Sequence, residues 1–305
     1  MIKILFLRNN KVLLPEVDAY LEYFKKTSGY KAYDSSKLSD EYDLKDFDVL
    51  WEFKGVGGIR QKAKGQILIH EYASLSIGRF PHIKNIMKRV LNPKPDLRIF
   101  LNEKVKEGFG FKDGIAYCYR DMGIDKSFIQ TKSNNKEYDF VYVGSMSKAR
   151  EFDKFLKVFT QKNNGKLCLI GNVNDSIYKK YKNNKDLIFT GKVPYLEVPR
   201  IASKAVYGIN FVPDKYPYNV QTSTKLLEYL ALGLKVITTD YQWVKKFENE
   251  QMCLFYKLDY YNLNFDIEDI NKFAFKSNFI AENYTWDRII ERSGIIEKLN
   301  NMHLC

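Results

Sequence analysis

Apolar residues along this chain fall into two alternating patterns. Compact runs, such as residues 2–7, suit buried strands, while longer stretches, such as 15–26 with Val17, Tyr20, Leu21 and Phe24 on one side, have helical period. In the first half, runs at 48–53, 66–70, 97–101 and 115–119 predict further strands, with a helix around 82–91. The alternation restarts at 139–143, a strand ending in Gly144. It continues through strands at 167–170, 187–189, 205–212, 236–238 and 252–255, with helices between. Strands separated by helical segments imply parallel βαβ units with right-handed crossovers. Between the halves, 130–137 is polar and lacks apolar period, as a linker would. The expectation is an α/β protein of two Rossmann-like, doubly wound domains facing across a cleft. The first spans 1–130, the second 131–284, and 285–305 is a terminal helix packing back on the first.

Residues 222–240, Thr-Ser-Thr-Lys-Leu-Leu-Glu-Tyr-Leu-Ala-Leu-Gly-Leu-Lys-Val-Ile-Thr-Thr-Asp, carry the most chemistry. Leu226, Leu227, Leu230 and Ala231 form an apolar helical face, and Gly233 permits a left-handed stop before a buried strand. Thr222, Ser223 or Thr224 caps the start, where free N–H groups and the helix dipole attract phosphate. Lys225 sits beside that end. Glu228, one turn in, is placed to accept hydrogen bonds from a ribose. As a bare sequence pattern, Lys225 and Glu228 also fit a surface i,i+3 ion pair.

Other segments add candidates. Gly144-Ser145-Met146-Ser147-Lys148-Ala149-Arg150 follows a strand, so a phosphate can approach the Gly144 backbone with Lys148 and Arg150 to neutralise it. The run 187–194 ends in a Gly191-Lys192-Val193-Pro194 turn. Just before the key helix, Tyr218 and Asn219 would line a sugar pocket with hydroxyl and amide groups. His70 and Glu71 end a first-domain strand whose carboxyl edge should face the cleft. There His70 would hydrogen-bond a transferred sugar and Glu71 would serve as base in an inverting reaction. Gly55-Val-Gly-Gly58 is a turn that would admit an acceptor.

The segment 222–240 resembles the donor-binding signature of GT-B glycosyltransferases, especially the bacterial family 4 group. There Ser/Thr-x-Lys-x-x-Glu-Tyr-x-Ala-x-Gly precedes a strand ending near Thr-Asp. Arg120-Asp-Met-Gly-Ile-Asp125 is similar to the Gly-x-Asp entry to the second domain of that architecture, and Tyr284-Thr-Trp-Asp to the start of its terminal helix. The resemblance implies a transferase moving a sugar from a nucleoside diphosphate sugar, UDP-linked, to a glycan or glycolipid in surface polysaccharide synthesis. Retention of configuration is favoured. By the same resemblance the Gly144 loop with Ser145 meets the diphosphate, and main-chain groups of Lys192 and Val193 meet the base. No cofactor and no metal ion are implied. Many family 4 members carry a second Glu eight residues before Glu228, where this chain has Val220. Alternatives within the same fold are a sugar-nucleotide 2-epimerase, a transferase using a CMP-linked donor, and an inactive binding subunit.

Composition narrows the setting. With 45% hydrophobic and 15% aromatic residues among 305, the chain can fill two cores. A net charge of +12 calls for an anionic partner. The lysines are dispersed and accompany no nucleic-acid motif, so nucleic acid is not expected. A sugar nucleotide or an acidic membrane face fits. Helix 82–91 sets Ile83, Ile86, Met87 and Val90 against Lys84, Lys88 and Arg89. It reads either as a domain helix with lysines in water or as a basic face resting on anionic headgroups. Cys118, Cys168 and Cys253 lie in apolar runs and Cys305 is terminal; without paired metal spacing they read as reduced thiols. Residues 2–7 are strand-like rather than a leader, and no run approaches a bilayer span. The expected place is the cytoplasm, at the inner face of the membrane.

Overall fold

The computed structural model describes residues 1–8, 14–38 and 42–303; Cys305 lies outside them. The chain divides into two compact units: Met1–Gly123 with Tyr284–Cys305, and Ile124–Asn283.

Unit 1 runs β1 (Ile2–Leu7), α1 (Pro15–Lys26), β2 (Tyr30–Asp34), β3 (Val49–Phe53), β4 (Ile67–Tyr72), α2 (Pro81–Leu91), β5 (Leu97–Phe100), α3 (Glu103–Phe109) and β6 (Ala116–Tyr119). Its six strands are all parallel in the order β2-β1-β3-β4-β5-β6. Unit 2 runs α4 (Lys126–Gln130), β7 (Tyr138–Val143), α5 (Phe152–Phe159), β8 (Leu167–Ile170), α6 (Asp175–Tyr181), β9 (Leu187–Gly191), α7 (Val198–Ala202), β10 (Ala205–Asn210), α8 (Thr224–Ala231), β11 (Lys235–Thr239), α9 (Gln242–Gln251), β12 (Tyr256–Leu258) and α10 (Ile267–Lys272). Its parallel sheet has the order β12-β11-β10-β7-β8-β9. The chain then returns to unit 1 as α11 (Trp286–Arg292) and α12 (Ile295–His303).

Both sheets are doubly wound, with strand order reversing between β1 and β3 in unit 1 and between β7 and β10 in unit 2. Ligands of such sheets bind outside the strand carboxyl ends at that reversal. Alternation along the strands sends Ile4, Phe6, Val49, Trp51, Ile69 and Ile99 to one face of the first sheet, where Ile290, Ile295 and Leu299 of the returning helices join them.

Three differences from the sequence pattern have physical causes. The chain crosses between units after Gly123, inside the 120–125 segment that resembles a second-domain entry and ahead of the polar 130–137 stretch. That polar stretch belongs to unit 2 because α4 packs on α8, and the Lys132 and Lys136 ammoniums donate to the carbonyls of Ala231 and Ser203 at 2.7 Å. The run 252–255 is not a strand: Met252 is left-handed (φ 48°) at the end of α9, which delays β12 to Tyr256. Edge strand β2, with its exposed and half-buried positions, has too little apolar signal to stand out.

Glu71 is occupied structurally, which corrects its expected role as base. It is 1% exposed, and its Oε2 accepts from the Trp51 indole N–H at 2.8 Å and the Tyr20 hydroxyl at 3.3 Å. Its Oε1 accepts from the buried Arg120 guanidinium, which also lies 3.8 Å from Glu16 and 5.3 Å from the Trp286 ring centroid. Both oxygens are thus engaged in buried bonds. Gly123 fits beneath Trp286, since a Cβ there would come within 2.5 Å of the indole. Thus one buried ion pair ties β4, α1 and the exit from β6 to the returning segment. Arg120→Met should destabilise the protein by about 3–5 kcal/mol, because the Glu71 charge stays buried without its partner. The double variant Glu71→Gln/Arg120→Met should recover much of the loss in urea unfolding. A single variant within about 1 kcal/mol of wild type would reject this role.

Candidate functional site

The carboxyl ends of β7 and β10 meet at the strand reversal of unit 2, and α8 starts above them. Packing fixes α8 closely. Tyr229 lies in a notch made by Gly208, where a Cβ would sit 2.4 Å from its ring, and the Val143 N–H donates to its hydroxyl at 2.8 Å. The carboxyl end of α8 closes as a Schellman motif: Gly233 N–H donates to Leu230 O at 3.0 Å and Leu234 N–H to Tyr229 O at 2.9 Å.

The amino end is left open. Ser223 is the N-cap residue, yet its hydroxyl makes no capping bond. It donates instead to Asn210 Oδ1 at 2.7 Å, while the Asn210 amide donates to the Thr238 and Tyr241 hydroxyls at 2.9 and 3.0 Å. This buried network turns the Ser223 hydroxyl away from the helix start, so the N-cap side chain leaves the first-turn N–H groups unbonded by it and the dipole there favours an anion.

Lys225 and Glu228 do not form a surface pair. The Lys225 ammonium is enclosed, and among the described residues it has no hydrogen-bonding partner. It lies 4.3 Å from the Tyr142 ring centroid and 3.6 Å from where a Cβ on Gly144 would be. Burial, then the nearby Arg150 charge, pushes its pKa well down, against the pull of Glu228. Gly144 has φ 136° and its carbonyl lies 2.3 Å from where a Cβ on Gly171 would sit, so two glycines let the turns after β7 and β8 meet. Glu228 is 5% exposed, and its Oε1 accepts from the Tyr195 hydroxyl at 2.8 Å. Burial pushes its carboxyl up to about 7, opposed by the Tyr195 bond and Lys225.

The remaining unit 2 candidates separate into near and peripheral. Arg150 stands 5.8 Å from the Tyr218 ring centroid, and Asn219 donates to Asp214 at 3.1 Å. Ser145 and Lys148 are exposed; Lys148 begins a short 3-10 turn, and α5 starts only at Phe152. Lys192 is exposed and Val193 half-buried in the turn that leads to Tyr195. Thr222 and Thr224, half-buried, flank Ser223. The pattern of the chain offered no reason to select Tyr195, Tyr142 or Asn210. Their only prior signals are position: Tyr195 follows the Gly191 turn, and Asn210 ends a strand.

His70 stands apart. It points to the face of β4 opposite Glu71, is wholly buried, and its Nε2 lies 3.1 Å from Glu52 Oε2. Burial holds its pKa below the usual value, against the Glu52 bond. Lys54 donates to Glu52 at 3.1 Å and to Gly57 O at 2.6 Å, while Asn92 accepts from the Gly57 N–H and donates to Gly55 O. These groups pin the 55–58 loop. Strand β4 also lies one strand away from the β1–β3 reversal. The imidazole is therefore interior, which corrects its expected contact with a sugar. Among the described residues, no cluster of His, Cys, Asp and Glu could hold a metal ion, and no helix is long and apolar enough to cross a membrane.

Residues 123–252 match the family described as glycosyl transferases group 1. No curated protein matches the chain. Among solved structures, AviGT4, a glycosyltransferase involved in avilamycin A biosynthesis, is similar at 13% identity and a TM-score of 0.64, over 100% of this chain and 98% of that one. HepE of Anabaena in complex with UDP is similar at 11% identity and 0.63, over 99% and 100%. Sucrose-phosphate synthase of Thermosynechococcus elongatus follows at 13% and 0.53, over 85% and 72%. The fold is GT-B. The group 1 match falls on the second unit of this GT-B chain and includes Gly144, Lys225 and Glu228.

The raised carboxyl of Glu228 has a consequence for stability. The fold binds its proton more tightly than the unfolded chain does, so stability is lost as pH rises from the ordinary value of 4.5 towards about 7. Glu228→Gln should flatten that slope and exceed wild type above neutrality, by on the order of 2–3 kcal/mol. Unfolding free energies measured from pH 4 to 8 should converge at the acid end. Parallel profiles for the two proteins would reject the shift.

Proposed function

We propose that this protein is a glycosyltransferase that takes a sugar from a nucleoside diphosphate sugar held in unit 2 and passes it to a glycan or lipid-linked acceptor. The observation that carries this reading is the enclosed, unpartnered Lys225 ammonium beside the uncapped start of α8 and the Gly144 turn. A diphosphate supplies the negative charge that arrangement lacks. Glu228 then accepts from the ribose hydroxyls, sharing its carboxylate with Tyr195. Main-chain groups of Lys192 and Val193 meet the base, and Arg150, Tyr218 and Asn219 border the donor sugar. The HepE complex contains UDP, which favours a uridine carrier here.

In the reaction, the bond from the anomeric carbon to the β-phosphate oxygen breaks and a bond to the acceptor oxygen forms. The acceptor proton passes to the departing phosphate, and the nucleoside diphosphate leaves. Lys225 and the α8 N–H groups stabilise the charge growing on that phosphate, the part given to a cation in other transferases. We read the outcome as retention, since Glu71 and His70 are sealed in the interior and supply no base. Buried free thiols at Cys118, Cys168 and Cys253 suit a reducing compartment. We therefore place the reaction in the cytoplasm, at the membrane face, in surface polysaccharide synthesis.

Thermal shifts across a panel of nucleotide sugars test the donor class. Glu228→Ala should weaken the preferred nucleotide by roughly 1.5–3 kcal/mol. Lys225→Met should do the same while stabilising the ligand-free protein by roughly 1 kcal/mol, since a desolvated charge is removed. A lysine with a purely structural task would give the opposite stability change. Failure of every diphosphate nucleotide to bind wild type would overturn the proposal.

Turnover should survive EDTA, because helix end and side-chain cations hold the phosphate in this reading. Complete loss restored by Mg²⁺ would place a metal ion in that role instead.

A further inference from the structure

Helix α2 is inverted relative to the usual arrangement of a globular helix. Its sole fully buried residue is polar Asn85, which accepts from the Ser76 N–H at 2.9 Å. Ile83, Ile86, Met87, Val90 and Leu91 are between 44% and 68% exposed. At about 100° per residue these five side chains cover an arc of roughly 140° centred opposite Asn85. Just before the helix, Ile77 and Phe80 are also at least half exposed, and Phe80 takes a left-handed φ of 57° that starts the helix from an exposed loop. The pinning of Gly55 and Gly57 by Asn92 sets exposed Val56 at the other end of the helix.

The charge within this stretch of chain has one sign. Between Tyr72 and Pro95 there is no Asp or Glu, whereas Arg79, Lys84, Lys88, Arg89 and Lys94 are all present. Lys84 flanks one side of the arc and Arg89 the other, where its guanidinium also donates to Gly110 O at 3.0 Å. Apolar side chains in the middle, with cations of the same segment along both edges, match the depth profile of an anionic bilayer surface: acyl chains below, phosphates at the rim.

We propose that α2, with residues 77–80, inserts its apolar arc into the interface of an anionic lipid bilayer. The orientation differs from that of a helix resting its lysines on headgroups, because the apolar side enters the lipid and the cations contact phosphates at its margins. A protein partner would need acidic groups around an apolar groove; the lipid surface meets both demands everywhere and without a fixed register. This places the acceptor half of the proposed function at a lipid surface. Its test reads binding without turnover, so either conclusion can fail alone.

Flotation with vesicles of phosphatidylglycerol and phosphatidylcholine, against phosphatidylcholine alone, supplies the test. Wild type should float with the mixed vesicles and remain behind with the neutral ones. Ile83→Ser/Val90→Ser and Arg79→Glu/Lys84→Glu should each lower the bound fraction about tenfold. All these side chains are on the surface, so melting temperatures should stay at the wild-type value. Absence of wild-type binding to the anionic vesicles would overturn the proposal, as would serine variants that bind like wild type. Sedimentation showing a wild-type dimer that Ile83→Ser/Val90→Ser dissolves would assign the arc to a second copy of the chain and overturn it too.

Discussion

An ammonium held out of water without a hydrogen-bonding partner among the described residues is the constraint around which unit 2 is arranged. The Tyr142 ring and the pull of Glu228 offset the burial of Lys225 in part, and Arg150 adds charge of the same sign nearby. Such an arrangement is costly in the empty protein and becomes favourable when an anion arrives. Glu228, one turn away, is also desolvated, with its carboxyl pushed up to about 7. The two groups lie on one short helix but face different partners. Their mutual attraction is therefore not spent in a surface pair. Both remain available to a ligand with an anionic part and a hydroxyl-bearing part.

Holding those charges requires a rigid frame, and the sheet supplies it through contacts that look unrelated to chemistry. Gly208 lets Tyr229 sit hard against β10, and the Tyr229 hydroxyl ties α8 to the last residue of β7. Asn210, at the end of β10, draws the Ser223 hydroxyl away from the helix while bonding Thr238 on β11 and Tyr241 beyond it. A serine that capped its own helix would satisfy an N–H group and weaken the anion site. The network thus exchanges a local cap for a ligand-facing helix end. Together these contacts tie α8 and its cap to β7 and β10, which is why α8 keeps its place at the strand reversal.

Much of this was legible in the sequence because it is written in local pattern. Alternating strands and helices predict two doubly wound sheets, and the run from Thr222 to Gly233 displays its helix, stop and charged pair within one window. What is not local was missed. The stretch 130–137 looks like a linker only until Lys132 and Lys136 find carbonyls about seventy to a hundred residues away, whereas the crossing after Gly123 lies within the 120–125 segment whose resemblance marked it. His70 and Glu71 illustrate the same limit. They are adjacent polar residues at a strand end, and strand alternation sends them to opposite faces, each into its own buried polar group. Polarity in a strand signals a site or a buried network equally well, and burial alone decides between them.

Polar contacts of its own account for the orientation of α2. On the face of the first sheet opposite Trp51, β3, β4 and β5 present Glu52, His70 and Arg98 together with the buried apolar side chains of Leu68, Tyr72 and Phe100. Arg98 is further held by Asp113, at 2.5 and 2.7 Å, beneath the Phe111 ring. The helix meets this face with groups that can bond to it. Asn85 holds the Ser76 backbone, Asn92 holds the 55–58 loop and the Tyr72 hydroxyl, and Lys88 covers Phe109. Once Asn85 and Asn92 face inward at a spacing of two turns, helical geometry leaves Ile83, Ile86, Met87 and Val90 no choice but the outer side. An apolar outer face is therefore a direct result of the polar inner one. A helix whose apolar residues turned inward would release the Ser76 backbone, the 55–58 loop and the Tyr72 hydroxyl, so the exposed arc persists because the polar inner side holds the chain around it.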